Sequence, residues 1–226
     1  TNSLKLRLSG CKTWINPNFF RTLLHNLSDC GIILLPIFAA SRKNHHQEVL
    51  YMEIKRDRYL NTLISKKHNG LIKVITGMRR CGKSYLLFNL FKNHLLSEGI
   101  DEAHIIEIAF DAFENKQFRD PDVLYPYLKE QIKDVGMYYV LLDEVQLLGE
   151  FEAILNSLTR MKNVDVYVTG SNARFLSKDV ITEFRGRGDE VHMYPLSFAE
   201  FMSVYPGSKQ DGWNEYMLSG GLPLVL

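Results

Sequence analysis

The feature that most constrains the fold is residues 74–91, VITGMRRCGKSYLLFNLF, in which a short loop bounded by glycines joins an apolar run to an amphipathic helical pattern. Residues 77–84 read G-M-R-R-C-G-K-S and match G-x-x-x-x-G-K-[ST] at every fixed position. Glycines allow the loop to turn its N–H groups inward, and the start of the following helix adds a positive dipole end. The pattern therefore predicts a strand–loop–helix unit that binds phosphate.

The positions of this loop have different expected roles. We expect Lys83 to reach the β and γ phosphates of a nucleotide and the Ser84 hydroxyl to ligate Mg²⁺. Arg79 and Arg80 occupy variable positions, so phosphate contact and a structural or partner-contact role are both open. Cys81 fits as a small packing residue better than as a reactive thiol. The predicted nucleotide-binding residues of the loop are Gly77, Met78, Arg79, Arg80, Cys81, Gly82, Lys83, Ser84 and Tyr85.

Strand and helix patterns alternate after residue 52 and predict the fold class. Apolar or β-branched runs predict strands over 71–77, 104–111, 138–146, 164–171 and 190–196. Amphipathic or capped segments predict helices over 83–97, 120–134, 150–163 and 177–188, and the tail after residue 197 also reads as helical. Helical connections between successive strands make right-handed parallel crossovers. We therefore predict an α/β fold of three layers around a parallel sheet.

Composition excludes several classes of protein. With 226 residues and 46% hydrophobic content, the chain can bury the core of one α/β domain. A formal net charge of +1 provides no global basic field of the kind that attracts nucleic acid. Three cysteines at no regular spacing favour a reducing, cytoplasmic setting. The longest uncharged apolar run, residues 31–40, contains a proline and is shorter than the roughly 20 residues of a spanning helix, so no membrane association is expected.

An acidic pair follows the most apolar predicted strand. Asp143 and Glu144 come directly after residues 138–142, at the strand end where ligands bind in open α/β sheets. We expect Asp143 to hold Mg²⁺ through water, opposite Ser84. We expect Glu144 to orient or deprotonate an attacking water, a role that distinguishes hydrolases from kinases of the same fold.

Two further segments carry candidate catalytic groups. The fourth predicted strand ends in TGSNA, where Ser171 or Asn172 could sense the γ-phosphate; turn-forming residues are the alternative. The segment FRGRG places Arg185 and Arg187 before the fifth strand. An arginine there could stabilise transition-state charge, with an effect of about 10³–10⁵ on rate, or it could be a solvated basic turn. Arg187 is the favoured candidate.

The order of the motifs resembles a known family. Besides the Walker A loop and the Walker B acids, the strings YLNTLI, TGSNARFLS, GRG, YPLSFAEF and YMLSGGLPLV resemble bacterial and archaeal AAA-type ATPases, in which an ATPase core precedes a C-terminal domain of unknown function. The resemblance covers about residues 52–226. It implies a sheet order of 5-1-4-3-2, ATP and Mg²⁺ as ligands, a sensor in TGSN and Arg187 as a finger.

The resemblance also divides the chain. Residues 1–51 resemble nothing in the family and are expected to be a non-native or unusual extension, since Met52 looks like a natural start. Residues 52–205 form the expected ATPase core, and 206–226 the start of a helical lid or linker to a C-terminal domain that is absent.

The expected function is Mg²⁺-dependent ATP hydrolysis coupled to that absent domain, with a possible homo-oligomer through Arg187 and an unknown protein or nucleic-acid partner. One alternative is a slow-turnover nucleotide switch that binds nucleic acid or protein, which retention of Asp143 and Glu144 disfavours. The other is a small-molecule or nucleoside kinase, which the adjacent Asp143 and Glu144 and the lack of a recognisable acceptor lid in the sequence disfavour.

Overall fold

The computed structural model describes residues 54–170 and 186–223 of the chain. Within them, five strands form one parallel sheet in the order β2-β3-β4-β1-β5. This confirms the predicted order 5-1-4-3-2. The strands are β1 (Ile72–Gly77), β2 (Ile105–Ala109), β3 (Tyr138–Asp143), β4 (Val164–Thr169) and β5 (Gly188–Met193).

Helices cover both faces of the sheet. They are α1 (Asp57–Ser65), α2 (residues 83–97), α3 (Pro121–Gln131), α4 (Phe151–Leu158), α5 (Phe198–Met202) and α6 (Lys209–Ser219). Asp120 caps α3 by accepting from the Asp122 backbone N–H at 2.9 Å, with Pro121 in the first turn. The prediction of a helix over 177–188 is wrong at its end, because Gly188 opens β5; positions 177–185 lie outside the described residues.

The core consists of two apolar layers, one on each face of the sheet. Successive strand residues point to opposite faces, so Val74 packs toward α3 and α4 whereas Ile75 packs toward α1 and α2. Burial on both faces explains why β1, β3 and β4 are buried along their whole length. The predicted three-layer sandwich is confirmed.

The register of the sheet brings three chain segments together at the carboxyl-terminal end of the strands. Ile75 pairs with Thr169 across β1 and β4, and Leu142 pairs with Val168 across β3 and β4. The carboxyl ends of β1, β3 and β4 therefore lie side by side. Helix α2, which starts at this end of the sheet, has a π-helical section over Leu86–Phe91, in which Leu86, Leu87, Leu90 and Phe91 are buried.

A polar network lies inside the opposite, amino-terminal part of the sheet. Lys73 of β1 is fully buried, and its Nζ donates to the Asp165 carboxylate of β4. The same carboxylate accepts from the Tyr167 hydroxyl at 2.8 Å and from the His68 backbone N–H at 3.0 Å. Burial lowers the pKa of Lys73, and the hydrogen bond from Lys73 to Asp165 opposes that change. The network ties β1, β4 and the turn before β1 together.

The chain after β5 folds back onto the end of that strand. The Leu196 backbone N–H donates to the Gly221 carbonyl at 2.6 Å, and the Tyr216 hydroxyl of α6 donates to the Leu196 carbonyl at 2.8 Å. A capping box of Ser197 and Glu200 opens α5. Among the described residues, no helix has the length and apolarity needed to cross a membrane.

Candidate nucleotide-binding site

The loop between β1 and α2 has a backbone that glycine makes possible. Gly77 has φ 143° and Gly82 has φ 96°. A side chain at Gly77 would overlap the Met193 carbonyl of β5, so the loop lies against the end of the neighbouring strand. Cys81 is fully buried beneath the loop, with Sγ 3.7 Å from the same carbonyl oxygen, and burial raises the pKa of its thiol. Cys81 thus packs the loop against β5.

Lys83 lies inside the loop. Its side chain is nearly fully buried, and Nζ donates to the carbonyls of Gly77 at 3.2 Å and Met78 at 2.9 Å. A buried ammonium surrounded by loop backbone is suited to an anionic ligand. Met78, Arg79 and Arg80 are exposed, so these three side chains face solvent.

Asp143, at the end of β3, accepts hydrogen bonds from two neighbouring segments. The Thr169 hydroxyl at the end of β4 and the Ser84 side chain of α2 both hydrogen-bond its carboxylate. Burial raises the pKa of Asp143 to about 6; the two hydrogen bonds oppose this, and the charges of Glu144 and Asp111 add to it.

The oxygen donors of Ser84 and Asp143 fit Mg²⁺. This ion takes few protein ligands and keeps its other positions for water and substrate phosphate. Across residues 54–170 and 186–223, no group of three or more His, Cys, Asp or Glu side chains gathers into a metal site. The hydroxyl–carboxylate pair of Ser84 and Asp143 offers two oxygen ligands for a magnesium ion.

Glu144 has a left-handed backbone, with φ 53° and ψ 46°. Its N–H donates to the Thr169 Oγ1 at 3.1 Å, and its carboxylate Oε2 accepts from the Gln146 Nε2. For a residue other than glycine this conformation carries strain of about 1–3 kcal/mol, and such strain concentrates at functional sites. Thr169 therefore links the backbone of Glu144 to the carboxylate of Asp143.

The structure does not bring every predicted site residue to the loop. The Arg187 carbonyl accepts from the Ile72 N–H at 2.8 Å, and its Nη1 donates to the Asn156 Oδ1 at 3.2 Å. Arg187 thus lies at the amino end of β1, about 17 Å from Gly77 at roughly 3.3 Å per residue. Ser171, Asn172 and Arg185 lie outside the described residues, so their roles stay predictions.

A cleft beside the loop contains a residue that sequence reasoning missed. Its lining includes Ile54, Tyr85 and Leu196 along with buried Arg56. Arg56 donates to the Tyr194 carbonyl at 2.6 Å and forms an ion pair with Glu200 at 3.2 Å. Its Nη1 has no hydrogen-bond partner within the described part of the chain. In the sequence Arg56 reads as one more surface cation in EIKRDRYL, and nothing there marks it as buried.

The AAA-domain family matches residues 69–202. The chain belongs to this family. An uncharacterized protein of Haemophilus influenzae is 35% identical over 179 residues, 76% of this chain and 44% of that protein. One of Methanocaldococcus jannaschii is 30% identical over 170 residues, 68% of this chain and 36% of that protein. The chain thus spans less than half the length of these curated relatives.

Two solved structures resemble the chain more distantly. Caenorhabditis elegans PCH-2 has a TM-score of 0.47 and 18% identity, covering 65% of this chain and 43% of its own. The Aeropyrum pernix ORC1 protein, solved in complex with DNA, has a TM-score of 0.47 and 14% identity, covering 73% and 50%. The assignment of an AAA-type nucleotide-binding fold rests on the strand order and on the family match.

Proposed function

We propose that this chain binds ATP with Mg²⁺ at residues 77–84 and hydrolyses it to ADP and phosphate. The observation that carries the proposal is that four residues meet at the carboxyl-terminal end of the strands: Lys83, Ser84, Asp143 and Glu144. Thr169 links the last two by hydrogen bonds. A buried cation, an oxygen donor pair and a carboxylate base are the groups that phosphoryl transfer to water requires.

In the proposed reaction each residue has one task. Lys83 donates to phosphate oxygens in place of the loop carbonyls, and Ser84 and Asp143 would hold Mg²⁺. When bound, Mg²⁺ neutralises charge on the phosphate oxygens. Glu144 accepts a proton from water as the water oxygen bonds to the γ-phosphorus; the bond from that phosphorus to the bridging oxygen breaks, and its electron pair stays with ADP.

The cleft beside the loop is the proposed site of the base. Ile54, Tyr85 and Leu196 line this narrow cleft with apolar and aromatic surface, and Gly82 places it next to the loop; these side chains have to move apart to admit a planar ring. The Arg56 Nη1, which has no hydrogen-bond partner among residues 54–170 and 186–223, offers a donor to a ring nitrogen acceptor. ATP as the nucleotide follows from the family resemblance.

A second copy of the chain would supply Arg187. Arg187 lies at the amino-terminal end of β1, whereas the loop of the same chain lies at the carboxyl-terminal end. It can therefore act on a phosphate only in another subunit, in a head-to-tail arrangement. We also propose that turnover drives movement of the further domain that the longer relatives suggest.

The test measures Mg-ATP binding and phosphate release over a range of protein concentrations. Glu144→Gln should bind ATP without turnover, and Lys83→Ala should fail to bind. The matched controls, Lys129→Ala and Glu130→Gln on the exposed surface of α3, should behave as wild type. Wild-type protein that binds ATP yet releases no phosphate at any concentration would refute hydrolysis and favour the nucleotide switch.

A further inference from the structure

Gln146 contacts the carboxylate that we propose as the base. The chain turns through a short 3₁₀ helix, Val145–Leu147, directly after Glu144, and the Leu147 N–H donates to the Glu144 carbonyl at 3.0 Å. This turn lets the side chains of Glu144 and Gln146 meet, and Gln146 Nε2 donates to Glu144 Oε2. The orientation of the amide follows from chemistry, since only its NH₂ group can face a carboxylate.

The carbonyl oxygen of the same amide lies in an unusual environment. Gln146 Oε1 is buried and has no hydrogen-bond partner among the residues that the structure describes. A buried amide oxygen without a donor is unfavourable by about 1–3 kcal/mol, and such an atom in a native protein needs an explanation. Beside a proposed catalytic base, a water molecule that enters with the substrate and donates to this oxygen would satisfy it; the amide has to shift to admit that water, because solvent does not reach the oxygen.

We infer that Gln146 positions Glu144 for hydrolysis and that its buried amide oxygen is the second acceptor for the attacking water. The inference rests on the proposed function. A water has two protons: Glu144 takes the one that is transferred, and Gln146 accepts a hydrogen bond from the one that remains. Two acceptors fix the direction of the oxygen lone pair that forms the bond to phosphorus.

The backbone makes this arrangement rigid. The Glu144 N–H is held by Thr169 and its Oε2 by Gln146, so both ends of the residue are fixed while φ is 53°. Loss of the Gln146 contact would remove one restraint on the side-chain torsions of Glu144 and leave the backbone hydrogen bond to Thr169 in place. A displacement of about 1 Å of a catalytic group lowers rate by as much as about 10²-fold.

The experiment compares Gln146→Leu and Gln146→Glu with wild type in single-turnover hydrolysis, Mg-ATP binding and thermal unfolding. Leucine removes both polar groups, and glutamate keeps the shape but replaces the donor by an acceptor. Both variants should slow the chemical step at least tenfold, with the Kd for Mg-ATP changed less than about twofold. The control, Gln210→Leu on the exposed surface of α6, should match wild type in all three measurements.

A double-variant cycle separates positioning from a structural role. In the Glu144→Gln background, Gln146→Leu should cause no further loss of the residual rate, because Gln146 acts with Glu144. An equal tenfold loss in that background, a weakened Kd, or a wild-type rate in Gln146→Leu would overturn the inference while leaving ATP hydrolysis intact. Absence of phosphate release by wild type would refute the proposed function and the inference together.

Discussion

The buried ion pair between Lys73 and Asp165 allows a quantitative prediction about stability. Lys73→Met keeps the length of the side chain and removes its charge, which leaves the Asp165 carboxylate buried without its cation. Removal of one partner from such a pair destabilises by about 3–5 kcal/mol. Asp165 keeps its donors from Tyr167 and the His68 backbone, so we expect the lower value, about 3 kcal/mol.

Urea unfolding of the whole chain measures this loss. With a slope of about 2 kcal/mol per M for a domain of this size, the midpoint should fall by about 1.5 M. Lys66→Met is the matched control: the ion pair of Lys66 with Asp189 has side-chain exposures of 23% and 21%, and it should contribute no more than about 1 kcal/mol. Affinity for Mg-ATP should be the same in both variants, since both positions lie away from the loop.

The second substitution Asp165→Asn tests the cause. In the Lys73→Met background it removes the uncompensated charge and keeps an acceptor for the Tyr167 hydroxyl, so it should restore part of the lost stability. A Lys73→Met midpoint within the range of Lys66→Met would show that the buried pair contributes no more than a surface pair, and the reasoning from burial would be refuted.

The remaining predictions concern the site. Gly77→Ala should lower Mg-ATP affinity more than tenfold because its Cβ would overlap a carbonyl of β5. Gly70→Ala introduces similar backbone strain, at φ 72°, but has no atom within 4 Å of its Cβ, so it should leave binding unchanged in calorimetry. Arg56→Met should weaken ATP about tenfold, or roughly 1.4 kcal/mol, and leave tripolyphosphate affinity unchanged; equal loss for both ligands would contradict a contact with the base. Arg187→Ala should abolish the rise of turnover per subunit with protein concentration, and mixing it with Lys83→Ala should restore activity; no recovery in the mixture would count against a finger acting between copies.

Local sequence patterns predicted the fold because the pattern of each segment is consistent with the patterns of its neighbours along the chain. The loop 77–84 fixes a strand before it and a helix after it, and the apolar run 138–142 identifies a central strand. The family resemblance, and not the patterns, supplied the strand order that the sheet confirms. Strand ends were predicted less well: β5 starts two residues before the predicted position, because the glycine at 188 looks like part of a turn.

The features that sequence reasoning missed depend on distant contacts. Lys73 in LIKVITG looks like an exposed polar residue of a strand, since its partner Asp165 lies 92 positions along the chain. Arg56 is buried only because Tyr194 and Glu200 fold back against it. Arg187 lies at the amino-terminal end of the strands because β1 pairs with β5, and the spacing of motifs in the sequence does not reveal that pairing.

The close approach of Gly77 to the Met193 carbonyl has a mechanical consequence. The chain continues from the strand end that supports the loop to Leu196. The Leu196 backbone N–H donates a hydrogen bond to Gly221, and its carbonyl accepts one from the hydroxyl of Tyr216 in α6. At Gly77 the loop backbone lies directly against the Met193 carbonyl, so a displacement of the loop at this point moves the end of β5 and, through Leu196 and the Tyr216 hydroxyl, helix α6. Ligand binding at one end of this path and orientation of the last helix at the other should therefore change together, as two ends of a single stiff linkage.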